Sequence, residues 1–283
     1  PGDQTWGVEP VVISQGSLKD QDLSGFPSVI LCNLDRLPPS KLGDLEGFVE
    51  RGGGLAVFLG DRVDVEEYDR TLFKGGEGLL PSALGQRIRF EDEDDAPMVS
   101  PPIEPHPLTQ IFSGGSNPFL KHVRAKGYMS LPFDPAKSTG AKVLLNLDDT
   151  TQTPFAISKP HGLGTVILFN TTADLGWSTW PRDASFPIVA LELTRLLAPS
   201  STEGRNLSCG ETLEHLINPG RVATVAQLCV PGEQIPRDLH AEPVEDSKKL
   251  AFRFPETGRA GVYALLLRTQ AGDAFEEHVA VNV

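Results

Sequence analysis

The sequence predicts an α/β protein: a mostly parallel sheet with helices on both faces, followed by a small all-β sandwich. Three observations lead there. Two runs, Pro27-Ser-Val-Ile-Leu-Cys-Asn33 and Gly54-Leu-Ala-Val-Phe-Leu-Gly60, have the continuous hydrophobicity of strands buried on both faces. Between them Leu42, Leu45, Phe48 and Val49 recur at helical spacing, opened by Ser40 as N-cap and stopped by Gly52-Gly-Gly54. Such a strand–helix–strand unit joins parallel neighbours. Beyond residue 205 the pattern changes to short strands separated by turns, which reads as a second domain. At about 150 residues per domain, a chain of 283 residues holds two. Their bounds are 1–200 and 206–283, joined by the polar linker Pro199-Ser-Ser-Thr-Glu-Gly-Arg205.

Taken in order, Val11–Ser14 is expected to add a strand, Asp64–Leu72 a short helix, and Gly75-Gly-Glu-Gly78 a turn-rich stretch. Over 85–160 the pattern is less regular, with strands expected at Gln86–Glu91 and Lys142–Leu147 and a loop carrying Pro101, Pro102, Pro105 and Pro107. Gly162-Leu-Gly164 then feeds a buried strand ending at Asn170, and Pro187–Leu197 closes the domain as a helix. In the second domain Val222–Val230, Lys249–Phe254, Gly261–Arg268 and Ala274–Val283 read as strands, with turns at Pro231-Gly232, Glu256-Thr-Gly258 and Ala271-Gly-Asp273.

Composition narrows the function classes. Gly and Pro make up about 18% of the chain, against a usual ~12%, which argues for many tight turns and against a helical bundle. Acidic residues number 38 against 25 basic, a formal charge of −13, and there is no basic stripe, so nucleic acid is excluded as a partner. No apolar run reaches the ~18 residues of a membrane span and no signal segment opens the chain, which therefore reads as a soluble piece. Three cysteines are too few for a disulfide framework or a thiolate metal site. Cys32 reads as a small buried hydrophobe, whereas Cys209 and Cys229 could pair across the sandwich.

In parallel α/β folds, active residues gather at the carboxyl ends of strands. After Leu55–Leu59 the chain reads Gly60-Asp61-Arg62, with no Ser or Cys to serve as a nucleophile there. Asp61 is suited to accept hydrogen bonds or cap the next helix. A catalytic use would recruit it with His161 or His106. His122, His215, His240 and His278 read as surface or sandwich residues, and Glu91-Asp-Glu-Asp-Asp95 as a solvated acidic turn rather than a cation loop. No metal and no cofactor is expected. Trp177 and Trp180, in Gly176-Trp-Ser-Thr-Trp-Pro181, either pack or form a contact surface, and exposed they would suit a carbohydrate-associated accessory domain.

Four stretches together carry a family likeness. They are Asp22-Leu-Ser-Gly-Phe26 with Val29-Ile-Leu-Cys-Asn33, Leu45-Glu-Gly-Phe-Val-Glu-Arg-Gly-Gly-Gly-Leu-Ala-Val-Phe-Leu-Gly-Asp61, Gly162–Asp174 with Trp177, and Val279-Ala-Val-Asn-Val283. In these the chain resembles the extracytoplasmic region of BatA-like (aerotolerance-regulator-type) bacterial membrane proteins, common in planctomycete-like bacteria. The resemblance implies a flavodoxin-like, class I glutamine amidotransferase-like domain followed by a small immunoglobulin-like sandwich. It also implies a place outside the cytoplasmic membrane, reached only through flanking segments absent from this chain, and an opening strand of the sheet lying outside it. The amidotransferase chemistry does not carry over. Where that family has its elbow Cys, this chain has Gly60-Asp61-Arg62, and no His-x-Glu pair occurs within the predicted first domain, the one such pair, His240-Ala-Glu242, falling in the predicted sandwich.

The expected function is therefore a non-catalytic binding or scaffolding module. Its ligand-binding candidates are Gly60, Asp61, Arg62 and Trp177, and its partner is another protein or a small ligand. A hydrolase or amidotransferase-like enzyme using Asp61 with a nearby His is the alternative.

Overall fold

A computed structural model describes residues 8–23, 25–100, 105–112, 119–198, 206–217, 219, 222–233, 235–244, 250–268 and 274–282. The predicted linker 199–205 and the Pro101-Pro102 part of the proline loop lie outside the described residues. The chain divides into two compact units, Pro1–Val49 with Gly53–Ala198, and Glu50–Gly52 with Pro199–Val283.

In the first unit the strand–helix–strand run is β1 (Ser28–Cys32), α1 (Pro39–Glu50) and β2 (Gly54–Phe58), with β1 and β2 parallel in the register Ser28 to Gly54. Helix α1 ends because Gly52 turns left-handed (φ 99°) and the Gly53 N–H donates back to the Phe48 carbonyl at 2.9 Å, a glycine-terminated cap. The chain continues through α2 (Val65–Tyr68), β3 (Arg87–Arg89), β4 (Val99–Ser100), β5 (Gly127–Met129), β6 (Lys142–Leu147), β7 (Pro154–His161), β8 (Gly164–Phe169) and α3 (Ser185–Leu197). Asp64 caps α2, its carboxylate accepting from the Glu67 N–H at 3.2 Å.

Six strands form one sheet in the order β1-β2-β8-β7-β6-β4, and β3 pairs separately with β5. Leu55 and Val57 of β2, with Val166 and Leu168 of β8, face one core that includes Leu45, Phe48 and Val49 of α1. Ala56, Phe58, Ile167 and Phe169 face a second core that includes Val189, Leu193 and Leu197 of α3. Burial on both faces is why these strands carry no polar alternation.

The sheet is mixed, not mostly parallel. β1/β2 and β2/β8 are parallel, while β8/β7, β7/β6 and β6/β4 are antiparallel. The cause is β7, a strand the sequence reading passed over. It returns directly into β8 across Gly162-Leu163, a connection short enough only for antiparallel neighbours. Its Pro154 and Pro160 stand at its ends, and its Lys159 is buried inside the sheet's cover, so the segment looks broken and polar in sequence. Residues 11–14 form no strand. Val12 is 91% exposed there, and the chain passes into a 3₁₀ turn, Gln15–Asp20, that buries only Leu18.

The second unit holds β9 (Asn206–Ser208), β10 (Leu213–Ile217), β11 (Val225–Cys229), β12 (Arg237–His240), β13 (Glu242–Pro243), β14 (Leu250–Phe254), β15 (Gly261–Arg268) and β16 (Ala274–Asn282). They form two sheets, β12-β11-β15-β16-β9 and β10-β14-β13, antiparallel except for the β16/β9 pair. Inward residues of both, among them Leu213, Phe252, Leu228, Tyr263, Leu265 and Val279, share one core. Burial alternates along β10, β11 and β15, as in strands with one face in a core; β11 and β15 answer to the strands expected at Val222–Val230 and Gly261–Arg268, whereas the sequence reading expects no strand at β10. Cys209 and Cys229 are both free thiols: β9 and β11 belong to one sheet with β15 and β16 between them, about 14 Å apart at the usual strand spacing. Among the described residues, no helix is long and apolar enough to cross a membrane.

Candidate functional site

After β2 the chain turns toward α2, whose Tyr68 joins the α1-side core; after β8 it turns to α3 on the other face. Where successive connections part to opposite faces, a crevice opens at the carboxyl ends of the strands. Here that edge carries Asn33 after β1, Gly60-Asp61-Arg62 after β2, and Asn170-Thr-Thr172 after β8.

Asn33 organises the corner. Its backbone N–H continues the ladder to the Phe58 carbonyl (2.9 Å), and its φ of 47° swings the carboxamide across to β2. There Nδ2 donates to Asp61 Oδ1 at 2.8 Å, and Oδ1 accepts from the Arg62 N–H at 2.9 Å. Gly60 is required beneath it, since a Cβ at that position would stand 2.3 Å from Asn33 Cγ. The bond from Asn33 holds the Asp61 carboxyl below the usual carboxylate range, and the Arg89 and Arg87 guanidinium groups act in the same direction. An exposed carboxylate of this kind is an acceptor and a counter-charge, and it is a poor general acid at neutral pH.

Around the corner, Arg62 Nη2 donates to Gln15 Oε1 at 3.0 Å, and Arg87 Nη2 donates to the Val63 carbonyl. Tyr68 is buried and donates its hydroxyl to the Leu34 carbonyl at 2.8 Å; burial, then Asp35, push its ionisation well above the ordinary phenol range. Asn170, fully buried, accepts from the Met129 N–H (2.8 Å) and donates to the Met129 and Pro154 carbonyls, tying the end of β8 to β5 and β7.

Cys32 corrects the sequence expectation. It lies on the edge strand and is exposed rather than buried. Packing around the sulfur and the nearby Asp174 carboxylate push its thiol up, the opposite of what activates a nucleophile.

The residues of the hydrolase alternative do not assemble. His161 ends β7 opposite Gly164, at the amino end of β8, and β8 runs beside β2 in the register Gly54 to Thr165. Asp61 lies beyond the other end of β2, about 20 Å along the strand direction. His106 lies close enough to Lys142 of β6 to be affected by its charge. Burial, then that charge, hold its imidazole below the ordinary range, and its Nδ1 accepts from the Leu108 N–H at 3.2 Å. β6 stands three strands from β2, about 14 Å at the usual spacing.

Trp177 and Trp180 are each 1% exposed, so neither forms a contact surface or a carbohydrate platform. Trp177 leaves the ligand-binding set: its ring packs where Gly127 has no Cβ, 2.8 Å from that missing atom. Trp180 donates Nε1 to Ser185 Oγ at 3.0 Å and packs edge-on against Phe155 and Phe186. The acidic run 91–95 folds as bends and turns, with the Asp94 N–H donating to Asp92 Oδ1 at 3.0 Å. Among the described residues, no three His, Cys, Asp or Glu side chains gather as metal ligands.

Sequence reasoning missed Asn33, Arg87 and Arg89. Asn33 is visible as the first polar residue after the apolar run of β1, which is an edge strand rather than one buried on both faces, while strand-end logic is applied only to β2. Arg87 and Arg89 are brought in by β3, whose Arg-Ile-Arg alternation marks a strand without indicating its neighbour.

No family model matches the chain, and no curated protein matches it. Among solved structures it is similar to a protein of Salmonella typhimurium LT2 described as cytoplasmic, with 15% identity and a TM-score of 0.48 over 62% of this chain and 74% of that one. It is also similar to a cold-adapted β-galactosidase from Rahnella sp. R3, with 17% identity and a TM-score of 0.45 over 89% of this chain and 33% of that one. The catalytic mutant of Gan42B, a GH42 β-galactosidase from G. stearothermophilus, shows 14% identity and a TM-score of 0.42 over 93% of this chain and 31% of that one. The chain thus spans about a third of these enzymes.

Proposed function

We propose that this chain is a non-catalytic binding or scaffolding module from the extracytoplasmic part of a bacterial membrane protein. In this reading the first unit is a flavodoxin-like, amidotransferase-like body, the second an immunoglobulin-like sandwich, and the corner Gly60-Asp61-Arg62 receives a partner protein or a small ligand. The parallel β1-α1-β2 unit with helices on both faces supports the first assignment, and the two sheets around one core support the second.

One observation carries the functional reading. At the strand end where an amidotransferase-like enzyme needs a thiol, this protein has a carboxylate held ionised by Asn33, over a glycine that the Asn33 side chain covers. The nearest thiol, Cys32, is pushed away from its reactive form. The purified protein is expected to leave glutamine and a panel of amide and ester substrates unhydrolysed. Turnover that disappears in Asp61→Ala would overturn the reading.

A further inference from the structure

The corner around Asp61 concentrates positive charge on a protein whose formal charge is −13. Arg62 follows Asp61 directly and is exposed. Arg87 and Arg89 stand two residues apart on β3, on the same face of the strand, and both are exposed. The bond from Arg87 Nη2 to the Val63 carbonyl sets β3 against this loop, and both β3 arginines lie close enough to Asp61 to hold its carboxyl down. The Arg87 and Arg89 guanidinium groups thus act on one carboxylate, whose Oδ1 already accepts from Asn33, and Arg62, next to it in the same turn, extends its own guanidinium to Gln15.

A guanidinium has five N–H donors in a planar fork. Arg62 directs one to Gln15 and Arg87 one to Val63, while Arg89 has no hydrogen-bond acceptor among the described residues. Donor capacity on these three arginines thus exceeds the acceptors they engage, and the neighbouring carboxylates Asp35 and Asp64 lie instead against Arg36, at 3.4 and 4.0 Å. Planar forks with unused donors fit oxyanions, which they bind through paired charge-assisted hydrogen bonds.

Resting on the reading of this corner as a binding place, we infer that its ligand is a multivalent oxyanion, bearing carboxylate or phosphate groups, seated on Arg62 and Arg89 beside Arg87. Asp61 is the internal anion with which it competes. That competition makes a single negative charge a weak ligand and gives a ligand with several the advantage, because the second group meets an arginine that Asp61 leaves unmatched.

The test is calorimetric titration of the whole chain at low ionic strength with citrate and, separately, with pyrophosphate. Saturable binding by at least one is expected, weakening as salt rises, and the tighter of the two identifies the source as carboxylate or phosphate. The double variant Arg62→Gln, Arg89→Gln is expected to lose about tenfold or more in affinity. Asp61→Asn is expected to gain several-fold, the size of a unit charge removed at about 5 Å in water. Arg195→Gln on α3, where Arg195 pairs with Glu192, is expected to change nothing. Each variant is first shown to be folded by its circular dichroism.

The inference is overturned if neither anion binds saturably, if the double variant binds as the parent does, or if Asp61→Asn binds no better. Substrate turnover would overturn the non-catalytic reading and leave anion binding standing. Silence toward both anions without turnover would remove this inference alone.

Discussion

Asn33 is the residue on which the corner depends, because one carboxamide serves both an acceptor and a donor of the next loop. Replacing it by alanine removes the largest cause of the depressed Asp61 ionisation and leaves only the exposed arginines to act on it. In Asn33→Ala the Asp61 carboxyl is therefore expected to titrate closer to the ~3.9 of a free aspartate, measured by carbon NMR of the side-chain carboxyl. An unchanged titration would show that the arginines, not the amide, set it. The stability linkage has a definite sign. A carboxyl whose folded value is depressed contributes fully above its unfolded value and loses that contribution as pH falls through the folded one. The parent should thus lose this increment only in acid below about pH 4, and Asn33→Ala should lack most of it at every pH above.

Elements show how much of the fold was legible and why the rest was not. β2 and β8 declared themselves because both faces are buried, so every residue but the half-buried Thr165 is apolar. β15 was legible to its ends because the unbroken apolar run Val262–Leu267 is bounded by Gly261 and Arg268. β7 was illegible because its polar residue is satisfied by partners remote in sequence. Lys159 Nζ donates to the carbonyls of Gly76 at 2.6 Å, Gly78 at 2.5 Å and Leu80 at 3.3 Å, closing the turn-rich stretch over the sheet. Nothing local in Ser-Lys-Pro announces those acceptors. Residues 11–14 erred in the opposite direction: an apolar triplet has strand propensity, but no neighbouring strand takes it up. The corner was half legible, since strand-end logic found Gly60-Asp61-Arg62 but not the groups that other strands bring to it. Lys159→Met tests the element-scale argument, because it keeps the stem volume and strands three carbonyls. A loss of about 3 kcal/mol in urea-measured stability is expected, and a loss under about 0.5 kcal/mol, the level of a neutral surface change, would show that the three bonds contribute little.

At the scale of the whole molecule, acidity and the arginine corner belong together. A net charge of −13 discourages anions over most of the surface, so a local excess of guanidinium groups is selective by contrast as well as by contact. The two units differ in the way they are built. The first stacks helices on both faces of a mixed sheet, and the second closes two sheets on a single core. Because Leu265 belongs to the core of the second unit alone, its truncation separates the stability of that unit from the first. Leu265→Ala, at a site 1% exposed, is expected to cost the second unit about 2–5 kcal/mol. Differential scanning calorimetry should then show one transition moved down and another unmoved. The near-ultraviolet signal of Trp180, packed on Phe155, Phe169 and Phe186 within the first unit, should follow the unmoved one. A single transition that shifts as a whole would mean that the units unfold as one cooperative body. Ligand binding at the Asp61 corner would then stabilise the second unit as well as the first, through the same linkage that couples any native-state ligand to the cooperative body it binds.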